Sequence, residues 1–265
     1  MGFYAVCVIG EYAVQIGGGH LQWHLCIERE GDTWYVWHMP SWNIHIAHVE
    51  HLLETATPED LGLADVNCFC FGNVVPDIYV GYMVDPITKK YEYKDTHLTE
   101  AAFIPCPDAS SFYVRYIQGA DATPLTLGAW THLIADHYYN LRTNDYIERI
   151  GVQPGTETRI KKQSDFDVFG RTLNVSLCPE VTELLIEQCA SFPQYRVEEE
   201  DVRRSQEVCA SIIVKNEREH VSDPTYRLLT SEFFAETFQE VDDKIREALR
   251  LYRAGQDASH IGRPR

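Results

Sequence analysis

The amino-acid sequence predicts a mainly α protein: a multi-helix bundle with a small N-terminal β-hairpin extension. Three observations carry that prediction. The stretch 125–140 is apolar nearly all round, with Leu127, Trp130, Ile134, Tyr138 and Leu141 recurring at helical spacing. Leu125, Ala129 and Leu133 spread the apolar surface further, the mark of a buried helix. Stripes of the same period return within 42–53, 179–192, 197–217 and 223–252, whereas strict alternation is confined to the first 38 residues.

In that first segment Phe3–Ile9 is β-like, Gly17–Gly19 breaks the chain, and two alternating runs flank Glu30–Asp32 as in a hairpin. His20, His24 and His38 decorate it. Residues 1–38 are thus read as a β-rich extension, 39–255 as a helical domain and 256–265 as a flexible tail. Alternatively the chain starts biologically at Met39 and the first 38 residues are appended. Ser41 reads as an N-cap for a helix whose buried stripe is Trp42, Ile46, Val49, Leu52 and Leu53. His45 falls inside that stripe, His48 at its edge and His51 on the polar side. Only His45 should need an interior partner, either a metal or a polar group of the core.

Thr57–Asp60 opens a turn or short helix. The apolar run Cys68–Val75 meets Pro76, which disfavours helix at Val75 and puts Asp77 where an element stops. Lys89–Asp95 is a polar loop, followed by His97. Residues 105–111 form a turn and Phe112–Gln118 a helix. Tyr113, Tyr116, Trp130, Tyr138 and Tyr139 could line a cleft for a cationic group, although aromatic residues at this spacing are commoner in cores. After the loop 151–158, Asp165 and Asp167 lie among aromatics. Helices are expected at Pro179–Phe192, Val197–Glu217 and Asp223–Tyr252, the last with a stripe of Phe234, Phe238, Val241, Ile245, Leu249 and Tyr252 and a solvated charged face.

With 265 residues the chain can form one or two domains, and 45% hydrophobic with 24% charged residues is ordinary for a folded protein. The net charge of −17 argues against nucleic acid or an anionic membrane as the main partner. No apolar run reaches the length of a bilayer-crossing helix, so no stable membrane insertion is expected. The eight cysteines lack zinc-site spacing and read as small buried hydrophobes. A cytoplasmic protein is expected.

The chemistry gathers on the central helix. His132 and Asp136 are four residues apart and share a face, with Gly128 one turn earlier leaving room beside them. Burying a carboxylate there costs several kcal/mol or more unless it is paired. A metal ion would satisfy both groups; so would a histidine–aspartate hydrogen bond in a packed core.

Four pieces then line up in order: Asn43–Ala47 (N-I-H-I-A), Phe71–Asp77 (F-G-N-V-V-P-D), Asp95–Leu98 (D-T-H-L) and Leu127–Asp136 (L-G-A-W-T-H-L-I-A-D). Over about residues 39–170 this series resembles the zinc-dependent phospholipase C family, whose all-helical fold is shared with single-strand-specific zinc nucleases. The resemblance implies that Asp77, His97, His132 and Asp136 hold one zinc, with His45 on a second ion bridged by Asp136. Asp77 and Asp136 would be the catalytic carboxylates, Asp77 orienting or deprotonating a metal-bound water. The implied activity is hydrolysis of a small phosphoester substrate.

The sequence also departs from the family. Trp42 is internal, where secreted members use a free N-terminal tryptophan. The family's third metal site needs a histidine soon after the H-x-x-x-D motif; Tyr138–Tyr146 has none, and His137 is turned about 100° from Asp136. Asp165 or Asp167 could substitute. One or two ions are therefore expected, and phosphatidylcholine is not the expected substrate. Two other readings compete: a nucleotide phosphohydrolase of the HD type, for which an adjacent His-Asp pair is missing, and a non-catalytic binding module with a structural metal.

Overall fold

The structure, a computed structural model, describes residues 41–265. The β-hairpin, its histidines and the alternative start at Met39 lie outside the described residues. Those described form eleven helical segments and no strand. α1 (Trp42–Thr55) follows Ser41, which is extended as an N-cap should be, although its hydroxyl bonds the Asn43 side chain and leaves the backbone uncapped. α2 (Pro58–Leu61) is closed by a Thr57–Asp60 capping box. α3 (Val66–Gly72) is capped by Asp65, whose carboxylate accepts from the Cys68 amide at 2.7 Å.

The helix break falls at Asn73 and Val74, earlier than expected from Pro76. Pro76 begins α4 (Val75–Ile78) instead of following an element, because a first-turn proline lacks only an N–H that has no helical partner. Asp77 is therefore held in a helical turn. The segment read as a polar loop contains α5 (Tyr93–Thr96), with Tyr93 buried. α6 (Ala109–Tyr116) starts at Asp108, and α7 (Pro124–Arg149) at Thr123 with proline in its first turn. α8 (Thr156–Thr172), α9 (Glu183–Ala190), α10 (Glu199–Arg218) and α11 (Ser231–Arg253) complete the bundle.

α7 is the axis, as its all-round apolar surface predicts: α3, α4, α6, α9 and α11 all pack on it. Its closest neighbour is α3, at a crossing of Gly72 and Gly128. A Cβ on Gly128 would lie 2.1 Å from the Phe69 carbonyl oxygen and 2.8 Å from the Gly72 Cα, so the two backbones are in contact. The room that Gly128 leaves is filled by α3.

Several sequence expectations need correcting. α9 starts four residues late because residues near Glu180 are tied to α3: the Asn67 side chain bonds both the amide (2.6 Å) and the carbonyl (2.9 Å) of Glu180. α11 starts at Ser231 and not Asp223, since the amides of Arg227, Leu228 and Leu229 donate to the buried Asp165 carboxylate at 2.7–2.8 Å. Asp165 is thereby consumed as an anchor, and Asp167 pairs on the surface with Arg171 at 2.9 Å; the structure offers neither to the metal ligands.

Nor is 256–265 a flexible tail. Ala258 and Ile261 are buried, the Ser110 amide donates to the Gly262 carbonyl at 3.3 Å, and the Tyr113 hydroxyl to the Gln256 carbonyl at 3.3 Å. Two apolar residues in ten suffice to dock it on α6. Trp130, Tyr139 and Tyr113 are core residues, with Tyr113 packed on Trp130. Among the described residues no helix is long and apolar enough to cross a membrane.

Candidate metal centre

Five side chains from four helical segments converge beside the Gly72–Gly128 contact. α1 supplies His45, α4 Asp77, the C-terminal end of α5 His97, and α7 both His132 and Asp136, one turn apart. His97 Nε2 lies 3.2 Å from His132 Nε2, 3.4 Å from Asp136 Oδ2 and 3.5 Å from Asp77 Oδ1. His132 Nε2 lies 3.4 Å from Asp136 Oδ2 and 4.0 Å from Asp77 Oδ1. Ligands about 2.05 Å from a tetrahedral zinc would stand roughly 3.3 Å apart, close to the mutual separations of His97, His132 and Asp136, with Asp77 looser at 4.0 Å from His132. His45 approaches from the far side, its Nε2 3.3 Å from the other oxygen of Asp136 and its ring stacked on His132 at 4.0 Å.

What makes the cluster unusual is its supply of protons. His132 Nδ1 faces the Asn73 carbonyl at 2.8 Å and must donate to it, which leaves Nε2 bare. Contact of the two glycines sets that bond, since it carries Asn73 to the face of α7. Asn73 is held in turn by its own amide on the Phe69 carbonyl (3.1 Å) and by Thr131 (3.1 Å). The Thr96 hydroxyl points at the Tyr93 carbonyl (3.3 Å) and accepts from His97 Nδ1 (2.8 Å), so His97 Nε2 is bare as well. Trp42 Nε1 donates to Asp77 Oδ2 at 3.0 Å and leaves Oδ1 turned inward. Backing of each ligand by a second hydrogen bond is the usual arrangement around a metal.

With every imidazole neutral, lone pairs would face lone pairs. Both oxygens of Asp136 and both nitrogens of His45 are buried without a hydrogen-bond partner. Asp77 is 8% exposed, and the other four residues are 0% exposed. Electrostatics follow from the same crowding. Burial pushes the His45 pKa down to about 4, with His132 adding to the effect, and burial likewise lowers His97. Burial opposes a charge on His132 too, but Asp136 and Asp77 outweigh it and raise that pKa to about 9. Burial also resists ionisation of Asp136, and the imidazoles around it more than offset this, holding it well below the usual carboxylate range. A proton on His132 is then what a cation would displace.

The donor set fits a divalent ion: Asp77, His97 and His132 present ligand atoms within 4.8 Å of one another, and so do His45, His132 and Asp136. The sequence reading thus named five residues that the fold brings together. It missed two that stand beside them. Tyr93 stacks on His97 at 3.8 Å, and its hydroxyl is buried without a partner; a four-residue interval to His97 was the available signal. Lys162 is buried on α8 with its ammonium 3.1 Å from Asn140 Oδ1, and burial lowers its pKa to about 8 against the pull of Asp136. Its helical register with Phe166 and Phe169 marks it as facing inward.

His48 differs from expectation. It is buried, and it needs and finds an interior partner in Asp242, a residue of α11 read as part of a solvated face. Comparison with known proteins finds no match among family models, curated proteins or solved structures.

Proposed function

We propose that this chain is a metal-dependent hydrolase of phosphoric ester bonds, a phosphodiesterase resembling the zinc-dependent phospholipases C. One observation carries the reading: ligand atoms of His97, His132 and Asp136 meet at 3.2–3.4 Å, Asp77 Oδ1 stands 3.5 Å from His97 and 4.0 Å from His132, and the proton that His132 carries is the only one the histidine tautomers place among them. Zinc suits two imidazoles and two carboxylates, and when bound it would polarise a phosphoryl oxygen and lower the pKa of a water to about 7. Asp77 is nearest solvent and 4.0 Å from His132, and Trp42 fixes its rotamer; with His97, His132 and Asp136 holding the ion and a fourth position open, Asp77 Oδ1 is the group to orient the attacking water and accept its proton. Asp136 presents one oxygen to His97 and His132 and the other to His45, so a second ion would sit on the His45 side. The six described cysteines are free thiols, which supports a cytoplasmic setting.

Metal analysis beside turnover of an aryl phosphodiester tests this. The purified protein is expected to hold at least one equivalent of zinc, iron or manganese, and chelation should abolish turnover reversibly. His132→Ala and Asp136→Asn should lose both metal and turnover. A wild-type protein that takes up no divalent ion ends the proposal.

A second reading has its own support. Four of the five residues are wholly buried, as in a closed structural site. In that case bound zinc would exchange slowly and no phosphodiester would be turned over.

A further inference from the structure

Tyr93 is the first residue of α5, and His97 follows that segment's last residue, one turn further on. The two rings stack with centroids 3.8 Å apart and planes 23° from parallel, so the phenol lies along the imidazole whose Nε2 faces the other ligands. Its hydroxyl is buried and completes no hydrogen bond of normal geometry, and Asp136 is the protein acceptor that comes nearest to it, with the charge of Asp77 also in reach. A phenol at neutral pH is a donor in need of an acceptor, and a donor left unmade in the interior is costly. The nearby protein oxygens are poor candidates: Asp77 Oδ2 already accepts from Trp42, and the remaining carboxylate oxygens are those facing the ion position. Once Asp136 is committed to the ion, the acceptor left for Tyr93 is an oxygen that the protein does not supply.

We propose that the Tyr93 hydroxyl donates a hydrogen bond to the non-protein ligand of the metal, an oxygen of the bound phosphoryl group or of the phosphate product. The inference rests on the metal-hydrolase reading and adds a substrate-contacting residue to it. The ring and the hydroxyl then have separate tasks: one holds His97, the other reads the ligand.

The test uses the full chain loaded with Co2+ and titrated with inorganic phosphate, with the cobalt absorption spectrum as the readout. Tyr93→Phe should retain wild-type cobalt stoichiometry and thermal midpoint while binding phosphate about tenfold more weakly or worse, the usual loss for a hydrogen bond to a charged group. Tyr93→Leu, which also removes the ring, should in addition weaken cobalt binding. Phosphate affinity unchanged in Tyr93→Phe overturns the proposal, and so does loss of cobalt from that variant, which would make the hydroxyl part of the ion's own cradle. Wild-type protein that binds cobalt but shows no response to phosphate overturns the inference and leaves the metal reading standing. Wild-type protein that binds no cobalt removes both.

Discussion

Two buried histidine–carboxylate clusters sit one helical turn apart on the same pair of helices. α1 carries His45 into one and His48 into the other; α7 carries Asp136 into one and Tyr139 into the other. In the second cluster every proton has a place to go. His48 Nδ1 donates to Asp242 Oδ1 at 2.6 Å, Tyr139 donates to His48 Nε2 at 3.0 Å, and half-exposed His51 meets the other Asp242 oxygen. In the first, four acceptor atoms meet and the proton carried by His132 is the only one the histidine tautomers place among them. Burial of histidine beside aspartate is therefore no sign of a metal by itself. A mismatch between donors and acceptors is.

The comparison can be broken in several places. The largest effect is expected from chelation. An ion present at a thousand times its dissociation constant stabilises the fold by about 4 kcal/mol, so removing it should lower the melting temperature by roughly 8–16 °C in calorimetry. Next is Asp242→Ala, which leaves the buried His48 Nδ1–H without its acceptor. It should cost about 3 kcal/mol in urea unfolding yet leave metal stoichiometry unchanged; loss of metal would show that the clusters are one unit. Gly128→Ala comes third. Its methyl group has to push two backbones apart, at about 2 kcal/mol, and the shift should also weaken metal binding because Asn73 moves away from His132. The smallest is Trp42→Phe, which removes one hydrogen bond from Asp77 Oδ2. Competition with a chromogenic chelator should show metal affinity falling about tenfold, with little change in melting temperature.

The parts of the fold that could be read in the sequence are those set by local periodicity. The apolar surface of α7 and the stripe of α11 emerge as predicted, and the buried carboxylate at Asp136 pointed to a partner before any partner was visible. The hidden parts depend on contacts distant in sequence. Asp242 and Asp201 look like members of charged helix faces. The fold buries them against His48, and against Tyr79 and Thr88, respectively, residues more than a hundred positions away. Asp165 resembles a solvated loop-proximal acid and instead fixes the start of α11. Burial of one acid on an otherwise wet face leaves no periodic trace. Tyr93 was obscured for another reason: a four-residue helical turn is too short to show a stripe.

The contact between Gly72 and Gly128 has a bearing on how this protein can change. Because main chain touches main chain there, the register of α3 against α7 does not depend on the size of any neighbouring side chain. Drift among the surrounding leucines, valines and phenylalanines should alter thermal tolerance long before it detunes the spacing of the four inward-facing atoms.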